Sequence, residues 1–298
     1  MSIAWVFPGQ GSQKTGMADP VLSLPGAEER FALASNLLGR DLLKICRGEG
    51  SDADSPSDLN DTRNTQPALF AVESLIVDEL LRQGRQPDLV AGHSLGELVA
   101  LYAAGVFDAA TGLELMQRRS ELMASAGGGA MTAVIGFDRS QLETLVDATE
   151  GVVIANDNSD AQVVLSGSPE AVNALSEALT CKRAIPLAVS GAFHSPFMAK
   201  AADAFASHLD SVAFADARFP VFSNTDPTPS RDAGELKQRL RRQMTTGVRW
   251  RETMAAMTSS GVETLVEIGP GNVLSGLAKR AMKGVTTSQL ASVGDLGL

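Results

Sequence analysis

A serine hydroxyl attacks a carbonyl carbon only when a base can take its proton, so the first question is where serines can meet the chain's three histidines. Ser94 stands in Gly92-His93-Ser94-Leu95-Gly96, directly after the apolar run Leu89-Val90-Ala91. A strand that turns abruptly into a helix has no room for side chains two residues either side of the turn, which is where the glycines fall. The spacing predicts a nucleophile elbow. Ser94 would be lifted above the strand end, and the helix N-terminus would offer free N–H groups to a developing negative charge. An ordinary tight turn could use the same glycines, but Pro87 at the strand's start and the helical run Glu97 to Ala104 favour the elbow.

Of the histidines, His93 adjoins Ser94, where neighbouring side chains diverge, and reads as a packing or hydrogen-bonding residue. His208 lies between Phe205 and Leu209 and reads as a solvated or half-buried helix residue. His194 lies in Gly191-Ala192-Phe193-His194-Ser195-Pro196, a loop before a helix that can aim a side chain into a cleft, and is the candidate base. No acidic residue stands out at a strand end between Ser94 and His194. Glu143 and Asp147 fall in a helix, and Asp157 and Asp160 in a hairpin-like loop. A Ser–His dyad is therefore expected, with a carbonyl oxygen orienting the imidazole. The backbone N–H of Leu95 and one N–H of the loop around Gln10 are the natural oxyanion donors. Arg119 is the remaining clue. An arginine in a helix usually reaches solvent; turned into the cleft, its rigid fork would hold a carboxylate and select acyl groups with a free acid end.

The elements that must position these residues alternate between strand and helix. Ile3 to Phe7 predicts a buried first strand followed by the glycine-rich loop Pro8 to Gln13, which is neither a dinucleotide fingerprint nor a phosphate loop. Residues 48–65, with Asp52, Asp54, Asp58 and Asp61, read as a solvated loop. Helices are expected from about Gln66 to Arg82 and from an Asp108 N-cap to about Ala126. After Gly127-Gly128-Gly129 the order becomes strand (Met131 to Gly136), helix (Ser140 to Ala148), strand (Val152 to Ala155), strand (Val163 to Ser166), helix (Pro169 to Leu179), strand (Ala184 to Ala188). That βαββαβ order predicts a ferredoxin-like insertion in a hydrolase-like α/β domain with a doubly wound, mostly parallel sheet. The expected division is 1–126 with 190–298 as the large catalytic domain, and 127–189 as the small subdomain. The last part reads as a strand at Val221 to Ser223, helices from Ala233 to Met244 and Trp250 to Met257, a strand from Thr264 to Ile268 and a helix from Val273 to Lys279.

A content of 44% hydrophobic and 20% charged residues is that of a soluble globular chain. The net charge of −10 argues against nucleic acid or an anionic membrane as the main partner, since both need a basic surface. Cys46 and Cys181, far apart, suggest neither a disulfide framework nor a zinc site. A cytoplasmic protein is expected.

Phe7-Pro8-Gly9-Gln10-Gly11-Ser12-Gln13, Gly92-His93-Ser94-Leu95-Gly96-Glu97, Gln117-Arg118-Arg119, Gly191-Ala192-Phe193-His194-Ser195, Val248-Arg249-Trp250 and Glu267-Ile268-Gly269-Pro270-Gly271 together resemble the malonyl-CoA:acyl carrier protein transacylase family. The blocks cover nearly the whole chain in the family's order. The resemblance implies that Ser94 is acylated, that His194 is the base and that the backbone N–H groups of Gln10 and Leu95 form the oxyanion hole. It puts Arg119 at the malonyl carboxylate and Gln243 where a group orients the histidine, and Phe193 looks like the malonyl-type version of its loop. Ser120 where many members have glycine, and Gly247 where proline is common, are the departures. The activity implied is ping-pong transfer from malonyl-CoA to the phosphopantetheine thiol of acyl carrier protein for fatty acid synthesis. No permanently bound cofactor or metal is implied, and a monomer is expected. Lys182 with Arg183, and Lys279 with Arg280 and Lys283, are candidates for carrier docking, though solvated charges are the bland reading. A polyketide pathway, the malonyl transferase subunit of a malonate decarboxylase, a serine thioesterase and a silent carrier-binding module are the rival readings.

Overall fold

The computed structural model describes residues 2–49, 58–189 and 191–297. Ser190, at the expected domain join, and Asp52 and Asp54 of the acidic stretch lie outside the described residues. The first strand, β1 (Ser2–Phe7), is followed by helices α1 (Ala27–Leu38), α2 (Leu42–Arg47) and α3 (Thr62–Arg82). β2 (Leu89–Gly92), α4 (Gly96–Ala103) and α5 (Ala109–Ser125) complete the first part. A small unit follows as β3 (Ala130–Phe137), α6 (Arg139–Ala148), β4 (Val152–Ser159), β5 (Gln162–Gly167), α7 (Pro169–Ala178) and β6 (Cys181–Pro186). The chain continues through α8 (Ala199–Asp210), β7 (Val221–Ser223), β8 (Asp226–Ser230), α9 (Ala233–Arg242) and α10 (Trp250–Ser259). It closes with β9 (Val262–Ile268), α11 (Val273–Ala281) and β10 (Thr286–Leu290).

The large sheet has the order β10-β9-β1-β2-β7-β8, and the pairs from β10 to β7 are parallel. Its inner strands β1, β2 and β7 are apolar on both faces because helices cover both. Ala4 and Val6 of β1 enter one apolar cluster, with Trp250 and Leu277, while Trp5 and Phe7 enter the other, with Leu69 and Leu98. The small sheet has the order β4-β5-β3-β6, antiparallel throughout. Val134, Leu142, Val163 and Leu175 give it a core of its own beneath α6 and α7. The chain is thus an α/β protein with a mainly parallel sheet and a separate ferredoxin-like sheet.

Several boundaries differ from the sequence reading, each for a local reason. α3 begins at Thr62 and not Gln66, with Asp61 as N-cap accepting from the N–H of Arg63. Pro67 sits inside this helix without an N–H to give the Arg63 carbonyl, and Arg40 Nη2 donates to that carbonyl instead, at 3.1 Å. β4 runs on to Ser159, so Asp157 belongs to a strand and not to a loop; it pairs with Arg139 and Arg251. β6 starts three residues earlier than its apolar residues suggest, because it is an exposed edge strand with no alternation to read. β8 was not anticipated; Pro227 and Pro229 are tolerated because β8 is the antiparallel edge of its sheet. Among the described residues no helix is long and apolar enough to cross a membrane, and no group of three or more metal-ligand side chains occurs.

Candidate active site

The site begins at the C-terminal end of β2. A Cβ added to Gly92 would lie 1.9 Å from the carbonyl carbon of Gly96, and one on Gly96 would lie 2.2 Å from the Phe7 carbonyl oxygen. Only glycine fits either place, and the chain passes from strand to helix within the residues between. Ser94 pivots that turn with φ 54°, a left-handed conformation that costs a non-glycine residue about 1–2 kcal/mol. Asn224, just past β7, holds it there. Its Oδ1 accepts from the Ser94 N–H at 2.7 Å, its Nδ2 donates to the Gly92 carbonyl at 2.6 Å, and its own N–H donates to Glu97 Oε2 at 3.0 Å.

His194 is the other non-glycine residue with positive φ among the described residues, at 55°. Its Nε2 lies 2.7 Å from Ser94 Oγ, and its Nδ1 lies 2.9 Å from the Gln243 carbonyl oxygen and 3.3 Å from that of Thr246. Carbonyl oxygens only accept, so Nδ1 must carry the hydrogen and Nε2 offers its lone pair to the serine hydroxyl. Burial, reinforced by the Arg119 charge, pushes the imidazole down to about 3 from an ordinary 6.5. It is therefore neutral at physiological pH and able to accept a proton. The other histidines are placed as the sequence suggests. His93 bonds Asn158 at 2.8 Å and packs edge-on against Trp250, and His208 is half-buried on α8.

Arg119 does not reach solvent. It is wholly buried on α5, and its guanidinium meets Ser94 Oγ through Nη2 at 3.2 Å. Nε and Nη2 also donate to Gln243 Oε1, at 3.2 and 2.9 Å, and Nη1 donates to Gln66 Oε1 at 2.7 Å. The Gln243 amide is fixed from behind, its Nε2 donating to the Ser94 carbonyl at 2.9 Å and to Glu97 Oε2 at 2.8 Å. Burial lowers the Arg119 pKa to about 10, opposed by Glu97, so the cation persists at neutral pH. Burial raises the Glu97 carboxyl, while Gln243 and Asn224 hydrogen bonds pull it back.

Gln10, Leu95 and Phe193 line the same cleft of about 250 Å³, together with Met131 and Val164 of the small sheet and Val273 of α11. Among the described residues the backbone N–H groups of Gln10 and Leu95 have no hydrogen-bond acceptor. All seven residues singled out in the sequence therefore meet at one place. Gln243 serves the imidazole through its backbone carbonyl, while its side chain serves Arg119. Sequence reasoning missed Asn224, Gln66 and Glu97 as members. Asn224 had a usable signal, being a polar residue directly after the buried run Val221-Phe222-Ser223, at the sheet end where sites form.

Comparison with known proteins places this geometry. A family model described as the acyl transferase domain matches residues 4–296. The malonyl CoA-acyl carrier protein transacylase of Synechocystis sp. is 48% identical over 297 residues, covering 99% of each chain. The chain belongs to the malonyl-CoA:acyl carrier protein transacylase family. The crystal structure of the Synechocystis transacylase covers 100% of this chain and 99% of its own, with a TM-score of 0.95 at 47% identity. A malonyl-transacylase solved in complex with a type II polyketide synthase acyl carrier protein covers 99% of this chain and 98% of its own, with a TM-score of 0.92 at 38% identity.

Proposed function

We propose that this member of the family transfers a malonyl group from malonyl-CoA to the phosphopantetheine thiol of acyl carrier protein, supplying fatty acid synthesis. The observation that carries the reading is a buried arginine fork in contact with the hydroxyl of a Ser–His pair, which suits an acyl group ending in a carboxylate. Ser94 attacks the thioester carbonyl as His194 Nε2 takes its proton, and the N–H groups of Leu95 and Gln10 receive the oxyanion. The C–S bond breaks and coenzyme A leaves as a thiol with the proton from His194. The carrier thiol then gives its proton to His194 and takes the malonyl group, restoring Ser94. Arg119 holds the acid end, Phe193 walls the acyl pocket and the Gln243 carbonyl aims the imidazole. No other cofactor enters this route.

We place the catalytic domain at 1–126 and 190–298 and the small subdomain at 127–189, in keeping with the small sheet's separate core. Lys182 and Arg183 on β6, and Lys279, Arg280 and Lys283 in and just after α11, are the basic groups we assign to carrier docking; among the described residues none of them has an ion-pair partner. The Michaelis constant for carrier protein then rises with ionic strength. We take the enzyme to work as a cytoplasmic monomer, consistent with two free cysteines.

Intact-protein mass spectrometry after mixing with malonyl-CoA tests the reading, beside Ser94→Ala and an acetyl-CoA control. A single malonyl adduct that needs Ser94, is scarce with acetyl-CoA and passes to carrier protein is expected. Rapid release of free malonate without an adduct would point to a thioesterase instead, and transfer only to a polyketide or malonate decarboxylase carrier would change the pathway.

A further inference from the structure

A guanidinium has five N–H donors in a fixed fork, and in Arg119 four are in use. Nε and one Nη2 hydrogen go to Gln243 Oε1, one Nη1 hydrogen goes to Gln66 Oε1, and the second Nη2 hydrogen goes to Ser94 Oγ. A carboxylate gripped by both its oxygens needs two adjacent donors, but among the described residues only one Nη1 hydrogen is free. Something must be displaced. The Gln243 pair is locked, because that amide is bonded on its other side to Glu97 and to the Ser94 carbonyl. Gln66 Oε1 is steadied by the Gln66 amide donating to Thr62 Oγ1 at 2.9 Å. Ser94 Oγ is the one acceptor on the fork that must itself move to react, and its bond is among the longest of the four, at 3.2 Å.

We propose that Arg119 restrains the Ser94 hydroxyl in the empty site, and that the carboxylate of the incoming acyl group takes over that N–H and frees the hydroxyl to react. The inference rests on the proposed function and deepens it: the acid end of the substrate is a trigger for the nucleophile as well as a handle. While Nη2 donates to Oγ, it draws on a lone pair of the attacking oxygen, and its charge weakens the neighbouring base. A carboxylate on the fork removes both effects. The Oγ proton then passes to His194 Nε2, the Oγ–carbon bond forms, and the thioester C–S bond breaks. Selection against acetyl groups therefore operates on the rate of attack as well as on binding.

The test supplies the two halves of the substrate separately. Ser94 acetylation by saturating acetyl-CoA is followed in single turnovers, with sodium formate or sodium chloride at equal ionic strength. Formate should accelerate acetylation about tenfold, the scale of a hydrogen bond to a charged group. It should do nothing in Arg119→Met, which in chloride should acetylate faster than the parent enzyme. Two results would overturn the proposal: formate that competes with malonyl-CoA yet leaves acetylation unchanged, or an Arg119→Met enzyme that acetylates more slowly. If malonyl-CoA itself fails to acylate Ser94, the proposed function falls, and that outcome is read in a separate malonyl-CoA control.

Discussion

Replacing Asn224 with alanine removes the clamp on the elbow and should damage the enzyme in two measurable ways. The side chain satisfies the Ser94 N–H at 2.7 Å and the Gly92 carbonyl at 2.6 Å, both at the heart of the turn. Each buried group left without a partner costs about 1–3 kcal/mol, so the variant should lose about 2–4 kcal/mol of stability after relaxation. For a chain of this size that is a fall in Tm of about 5 °C. The second effect is on rate. Ser94 holds φ 54° partly because Asn224 favours it, and relaxation of that angle swings Oγ away from His194 Nε2, now at 2.7 Å. A displacement on the order of 1 Å costs about a hundredfold in an aligned attack. Malonyl-CoA should still half-saturate the variant at the parent concentration, because Arg119 bonds Gln66 and Gln243 and not Asn224. Calorimetry gives the Tm, and quenched-flow mass spectrometry well below it gives the acylation rate per folded molecule. A variant that melts like the parent, or acylates at the parent rate, would refute the reasoning.

Four further outcomes follow from buried titratable groups. His194 is held down to about 3, so kcat/KM for malonyl-CoA should show no break near 6.5 and stay level from pH 8 to 5. The same depressed pKa adds stability above pH 6.5 that is lost as pH falls towards 3, so Tm should drop over that window by less in His194→Gln. Burial, with Asp19 and Asp41, pushes the Cys46 thiol up to about 12, so a thiol reagent at pH 8 should leave Cys46 intact until the chain unfolds, as peptide mapping would show. Glu73 is fully buried, and among the described residues neither carboxyl oxygen has a hydrogen-bond partner. Burial and then Glu267 raise its pKa well above 4.5, so the folded chain keeps a proton that the unfolded chain releases. Stability is then lost as pH rises above 4.5, and Glu73→Gln should flatten the decline of Tm from pH 5 to 9.

The elbow is legible in the sequence because its requirement is local: Gly92 and Gly96 are needed by atoms within a few residues of Ser94 or at the end of β1. His194 emerges by elimination among three histidines, and the strand–helix order of the small unit reads through because its apolar alternation is strong. What stays hidden is set by distance along the chain. Asn224 reaches the Ser94 N–H across 130 residues, and Glu97 meets the Gln243 side chain across 146, so no spacing rule reveals either contact. Arg119 illustrates the limit of residue-type reasoning, since an arginine's usual place is the surface and only the surrounding Gln66, Gln243 and Glu97 make burial tolerable. Neither α1 nor α2 was anticipated: α1 does carry a stripe, Phe31, Ala34 and Leu38 with Gly39 as a stop, whereas α2 is too short for periodicity to show.

The loop between α9 and α10 supplies both carbonyls that aim His194, and it is stitched to the small sheet. Val248 donates to the Ala155 carbonyl at 2.8 Å and accepts from the Asp157 N–H at 2.9 Å, and beside it a Cβ on Gly247 would lie 2.6 Å from the Ile154 carbonyl oxygen. β4, which that loop extends by this short bridge, also carries Asn156 and Asn158 into the cleft wall. One seam thus serves as wall and as gauge: prising β4 from the loop would open the cleft and turn the imidazole off the serine in a single movement. A substitution far from the hydroxyl, such as Gly247→Val, would therefore silence the base without touching it.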